Sequence, residues 1–141
     1  MNRLHPRYFA IALFATAASA IGVGGLIVSL LPGLAGAAYI AGWWTNLAVS
    51  GFVAILAGRK AASVYDEPRQ GRIAGGAIGL WAGLGAALGQ LAYHAFVVAA
   101  YKADVRFGLT LVFMLVSLIV SLVSATIAGR ESAHPQEEEE A

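Results

Sequence analysis

The chain contains no cysteine. Disulfides, thiolate metal sites and cysteine-held iron–sulfur clusters are thereby excluded. Charge is scarce as well. Asp, Glu, Lys and Arg make up 12% of the 141 residues, where a soluble domain carries about 25%. The charges that exist are confined to short segments. None stands between Arg7 and Arg59, from Ile73 to Tyr101, or from Phe107 to Gly129. The formal net charge is +1, which gives no electrostatic case for nucleic acid.

Apolar residues fill these gaps. They make up 59% of the chain, and the mean hydropathy is +0.73. A bilayer-crossing helix needs roughly 20 apolar residues. The first uncharged interval is long enough for two such helices and each of the others for one. Within the first, "LPGLAG" (31–36) supplies a Pro-Gly turn signal. The expected architecture is an all-α membrane protein with four transmembrane helices near 8–31, 37–58, 73–100 and 107–129. Pro6, Pro32, Pro68 and Pro135 all fall outside or at the edges of these spans.

Sidedness follows from Lys and Arg. Arg3, Arg7, Arg59, Lys60, Arg69, Arg72 and Arg130 lie on one side of a four-span chain, Lys102 and Arg106 on the other. The positive-inside rule then places both termini and the 59–72 loop in the cytoplasm, in the cytoplasmic (inner) membrane. Trp43 and Trp44 are expected near the outer interface, where aromatic belts sit. The acidic segment 130–141 reads as a disordered cytoplasmic tail. The start, "MNRLHPRYFAIALFATAASA", has the basic and apolar regions of a secretory signal. Its apolar run continues past Ala20 to Leu31, so it is expected to remain as the first span.

A shift of 71 residues lays "NLAVSGFVAILAGRKAA" (46–62) over "SLIVSLVSATIAGRESA" (117–133). Ser50 matches Ser121, Ala54 matches Ala125, and Ala57-Gly58-Arg59 matches Ala128-Gly129-Arg130. The same shift lays the first helix over the third. The chain thus reads as two helical hairpins, a parallel repeat about an axis along the membrane normal. Gly58 and Gly129 are expected just past their helix ends, where glycine tolerates positive φ. Arg59 and Arg130 then serve as cytoplasmic anchors; an anionic-ligand site formed by the two arginines is the other reading.

The third span is rich in small residues. Gly75, Gly79 and Gly83 form one GxxxG series, and Gly85 and Gly89 another. In lipid such glycines allow close backbone approach. This helix is expected to be central, packed on a helix of its own chain or of a second copy. "GLGAALG" (83–89) superficially matches a nucleotide loop. That motif requires a preceding strand and an opening helix, and here it lies in mid-span.

Intramembrane polar groups are few: Thr16, Ser19, Asn46, Ser50, Gln90, His94, Ser117, Ser121 and Ser124. Their simplest use is interhelical hydrogen bonding. A polar solute path along the same stripe is the alternative. Gln90 and His94 share a helix face with Gly79 and Gly83. His94 reads as a helix–helix hydrogen bond or a water contact. Haem or pigment ligation by its imidazole is a further possibility. Bis-histidine haem would need a second histidine on the same side, and His5 and His134 lie on the other. No span carries a carboxylate, which weakens an ion-coupled transporter. No nucleophile–base constellation, phosphate loop or metal spacing appears, so no enzyme and no metal site is expected.

At its Gly-Arg exits and at "GRIAGGAIGLWAGLGAALG", the chain resembles small uncharacterised prokaryotic membrane proteins with four glycine-rich spans. The likeness covers mainly residues 50–90. It implies the fold and carries no functional residues across. The expected function is that of a non-catalytic integral membrane protein. It would act in the lipid bilayer through helix–helix association, as a homo-oligomer or as an accessory subunit of a membrane complex. The alternatives are a small-solute transporter or channel formed by an oligomer, and a pigment- or haem-binding subunit through His94.

Overall fold

The computed structural model describes residues 4–31, 33, 35–101 and 107–132. Four helices follow in order: α1 (Leu4–Leu30), α2 (Ala35–Ala62), α3 (Pro68–Tyr101) and α4 (Phe107–Ser132). All four are long and apolar enough to cross a membrane. The chain is a multi-pass membrane protein. Lys102, Arg106 and the acidic tail beyond Ser132 lie outside the described residues.

The helices overrun the apolar intervals, mainly at the end that holds Leu4 and Ser132. With 1.5 Å per residue, the 34 residues of α3 span about 51 Å, against a hydrocarbon core of about 30 Å. The connector between α2 and α3 accordingly shrinks to 63–67. Ser63 Oγ donates to Lys60 O at 2.8 Å as α2 ends. Pro68 opens α3, where its missing N–H costs no helical bond. The Gly71 N–H donates back to Glu67 O at 3.0 Å.

The packing pattern is a rhombus. α2 and α3 each pack on all three other helices, whereas α1 and α4 scarcely meet. The two inner helices bury 44% and 50% of their spanning stretches, the two outer ones 22% each. α3 is therefore central as its glycines suggest, but it shares that place with α2. Large side chains such as Phe14, Leu26, Phe52, Val123 and Ile127 face outward. In a bilayer this outward arrangement has no cost, because lipid tails are as apolar as leucine.

The core is built from small residues. At the terminal end it holds Ala54, Ala57, Ala61, Ala74, Ile78 and Ala125. At the opposite end it holds Ala20, Tyr39, Trp43 and Tyr93. The glycines of α3 explain the close approach. A Cβ at Gly75 would strike Ala125 O, and one at Gly79 or Gly83 would strike Ser121 O or Leu118 on α4. A Cβ at Gly85 or Gly89 would strike Phe9 O or Thr16 Oγ1 on α1. Gly83 and Gly85 are two residues apart, about 200° around the helix. The two glycine series thus face two different helices of the same chain.

Gly58 and Gly129 depart from expectation. α2 continues to Ala62 and α4 to Ser132, so neither glycine ends its helix. Neither has a positive φ. They are contact points instead: a Cβ at Gly58 would strike Ala125 O, and one at Gly129 would strike Gly71 O. The signal for a helix stop was the adjacent arginine, but an arginine continues a helix readily. Arg59 and Arg130 are both exposed at that end.

Candidate functional site

The polar residues of the spans gather on one stripe of α2. Tyr39, Trp43, Asn46 and Ser50 follow at intervals of four, three and four, and all are buried. Thr110, Ser117 and Ser121 form the corresponding buried stripe on α4. Gln90 and His94 enter from α3. From Tyr39 to Ser50 the stripe covers about 16 Å, roughly half the hydrocarbon core. Below it the alanine and glycine packing closes the bundle.

His94 lies at the outer limit of this column. Its Nδ1 is 2.8 Å from the Tyr39 hydroxyl and 2.8 Å from Thr110 Oγ1. The two hydroxyls are 3.1 Å apart. In the neutral ring this triangle selects a tautomer. If Nδ1 accepts, one hydroxyl donates to it and the second donates to the first oxygen. If Nδ1 carried the proton, one hydroxyl would have no acceptor within the triangle. The Nε2–H tautomer therefore satisfies the contacts best, and Nε2 has no partner among the described residues. A metal or pigment at Nε2 would need the lone pair there. It would force the proton to Nδ1 and cost one of these bonds. Phe107 meets the ring edge-on, with centroids 5.3 Å apart.

Tyr39 is the hub of the outer half. It meets Trp43 edge-on at 4.3 Å and stacks with Tyr93 at 5.6 Å. The Tyr93 hydroxyl donates to Tyr39 O at 3.3 Å. Tyr93 fits because Gly24 on α1 and Gly42 on α2 leave a slot for its ring. Trp43 also stacks on Phe113, with centroids 4.6 Å apart. The two tryptophans expected near the outer interface differ in their surroundings. Trp44 is 61% exposed, whereas Trp43 is 3% exposed and belongs to the core.

One level deeper, Gln90 Nε2 donates to Trp43 O at 3.2 Å. That bond fixes the amide orientation, because a carbonyl can only accept. Asn46 Nδ2 donates to Ala86 O at 3.4 Å, and Ser117 Oγ donates to Asn46 Oδ1 at 3.1 Å. Among the described residues, three buried polar atoms in the column make no well-formed hydrogen bond: Trp43 Nε1, Gln90 Oε1 and Ser121 Oγ.

Other polar residues serve their own helices. Thr16 Oγ1 donates to Ala12 O, Ser19 Oγ to Ala15 O and Ser50 Oγ to Leu47 O. Ser124 is half-buried and belongs to a separate groove between α2 and α4. The structure thus brings Asn46, Ser117, Ser121, Gln90 and His94 into one column and leaves Ser124 outside it. Tyr39, Thr110 and Tyr93 were missing from the sequence reading. Tyr39 and Thr110 are 71 residues apart, the same shift that aligns 46–62 with 117–133, a signal that could have singled them out. Among the described residues, no three His, Asp or Glu side chains gather as a metal site. No protein-family model, curated protein or solved structure matches this chain.

Proposed function

We propose that this chain is a non-catalytic integral membrane protein of the cytoplasmic membrane. It acts through association with other membrane helices, as a homo-oligomer or as an accessory subunit of a larger complex. One observation carries this reading. The side-chain hydrogen bonds that cross between helices link α2, α3 and α4, through the contacts of His94, Asn46 and Gln90. Because the α3 glycines pack within the chain, association falls to the outer faces of α1 and α4 and to the polar segments at the membrane surface. Both termini and the 59–72 segment face the cytoplasm, as the basic residues there require. The two hairpins form a parallel repeat. Two hydrogen bonds join residues that are 71 apart, Tyr39 with Thr110 and Asn46 with Ser117.

The test is subunit counting by single-molecule photobleaching in native-lipid particles, together with identification of co-purifying proteins. A fixed multiple, or a stoichiometric partner, supports the proposal. A single subunit at every membrane density with no co-purifying protein overturns it.

A second reading rests on the three atoms of the column that make no well-formed hydrogen bond. Buried polar atoms are costly in lipid unless a solute or water uses them. A small hydrogen-bonding solute in a path lined by Asn46, Ser117, Ser121 and His94 would use them. The backbone contacts around Gly58, Gly75 and Ala125 close one chain at its terminal end, so a through-path needs several copies. Flux in proteoliposomes that Asn46→Leu abolishes supports this reading. No flux across a broad panel of polar solutes removes it.

A further inference from the structure

We propose that the groove between α2 and α4 binds the headgroup of a zwitterionic phospholipid bearing a primary amine, phosphatidylethanolamine. The groove encloses a cavity of about 230 Å³ lined by Ile55, Arg59, Ser124, Ile127, Ala128 and Glu131. It is separate from the His94 column.

The order of residues along the groove carries the argument. Ile55 and Arg59 are one turn apart on α2. Ser124, Ile127, Ala128 and Glu131 follow at intervals of three, one and three on α4, so they share one face. Both helices run toward the terminal end of the bundle. The deep part is therefore lined by Ile55, Ser124, Ile127 and Ala128, and the mouth by Arg59 and Glu131. From Ser124 to Glu131 the groove descends about 10 Å. Apolar walls in the hydrocarbon and opposite charges at its boundary match the layout of a lipid with a charged head.

The charges are available for a ligand. Arg59 and Glu131 are both exposed and face the same cavity, yet they form no ion pair among the described residues. A guanidinium matches a phosphate fork, and a carboxylate accepts from a primary ammonium. Arg130, the repeat-related arginine, does not line the cavity, so the site pairs a cation with an anion and not two cations. Ser124 adds a third element. Thr16, Ser19, Thr45 and Thr126 each donate to the carbonyl one turn back, but the Ser124 hydroxyl makes no such bond. It stands about 10 Å along the groove from Glu131, on the side where the glycerol esters of a lipid, whose carbonyls accept hydrogen bonds, would follow the headgroup.

The experiment uses the full chain in lipid particles with equal amounts of phosphatidylethanolamine, phosphatidylcholine and phosphatidylglycerol. Lipids that stay bound through detergent release are counted by native mass spectrometry. The expected result is about threefold enrichment of phosphatidylethanolamine over both others, the size of one partly exposed ion pair. Glu131→Gln should equalise phosphatidylethanolamine and phosphatidylcholine while lipid is still retained. Arg59→Gln should reduce all retained phospholipid. Excess soluble phosphoethanolamine should leave the lipid in place, because Ile55 and Ile127 hold its chains. Helix content by circular dichroism verifies that both surface variants fold. Retained lipid that mirrors the bulk mixture, absence of retained lipid, preference for phosphatidylglycerol, or enrichment that survives both substitutions would each overturn the proposal.

Discussion

Tyr39 and Thr110 stand 71 residues apart in sequence, and their hydroxyls meet at 3.1 Å beside His94 Nδ1. The relationship joins α2 to α4. It also holds the imidazole by Nδ1 and leaves Nε2 without a hydrogen bond among the described residues.

Tyr39→Phe removes one hydroxyl of this triangle. Thr110 still donates to Nδ1 across 2.8 Å, so His94 keeps a partner. The expected loss is about 1 kcal/mol of unfolding free energy. Combined with Thr110→Val, the two changes should be non-additive by at least ~0.6 kcal/mol, the average for hydrogen bonds between membrane helices. Unfolding in mixed micelles measures both quantities. Strict additivity would show that the two hydroxyls act independently.

The glycines divide into two groups with opposite expectations. Alanine at Gly75 would meet the Ala125 carbonyl, whereas at Gly22 and Gly108 nothing lies within 4 Å of an added Cβ. Gly75→Ala should cost about 1–3 kcal/mol, the usual penalty for overpacking. Gly22→Ala and Gly108→Ala should be neutral or mildly stabilising, because alanine favours helix. The same contacts say where the loss appears. Gly75→Ala should lower the unfolding midpoint of a single chain, even at dilutions where no oligomer exists. A loss seen only as dissociation would place the glycine face between chains.

How much of this was legible in the sequence depends on what each signal measures. The absence of charge marks hydrocarbon, so the four spans were readable. It does not mark helix ends, so Gly58 and Gly129 were read as stops when their helices run on. GxxxG reports that some backbone comes close but not whose. Only the contacts with Ala125, Leu118 and Phe9 assign those faces to α4 and α1. The polar column was half visible. Asn46, Gln90 and His94 stood out against apolar neighbours, whereas Trp43 was read as an interfacial aromatic and Tyr39 was not singled out. Their burial depends on Tyr93 and Phe113, which come from distant parts of the chain. The Arg59–Glu131 groove was out of reach, since it needs the register between α2 and α4.

The tryptophans test the burial of the outer core directly. Trp44 is 61% exposed and Trp81 40%, whereas Trp43 is 3% exposed. Brominated lipid tails quench a tryptophan only on contact. Removing Trp44 by Trp44→Phe should therefore abolish a large share of the quenching. Trp43→Phe should leave the quenched fraction nearly unchanged or raise it. Equal effects of the two substitutions would mean that both indoles face lipid.

Sidedness can be tested cleanly because the chain has no cysteine of its own. Ser63 lies in the connector between α2 and α3, and Gly33 lies in the turn between α1 and α2; both are exposed. A membrane-impermeant maleimide added to intact cells should label Gly33→Cys and spare Ser63→Cys. In inside-out vesicles the pattern should reverse. The physical basis is the seven basic residues on the Ser63 side against two on the other. By the positive-inside rule the more basic side is expected to stay on the cytoplasmic face during insertion. The opposite labelling would invert the orientation and place Arg59 and Glu131 in the outer leaflet. The groove between α2 and α4 would be unchanged, because its lining depends on the packing of the two helices and not on which side they face.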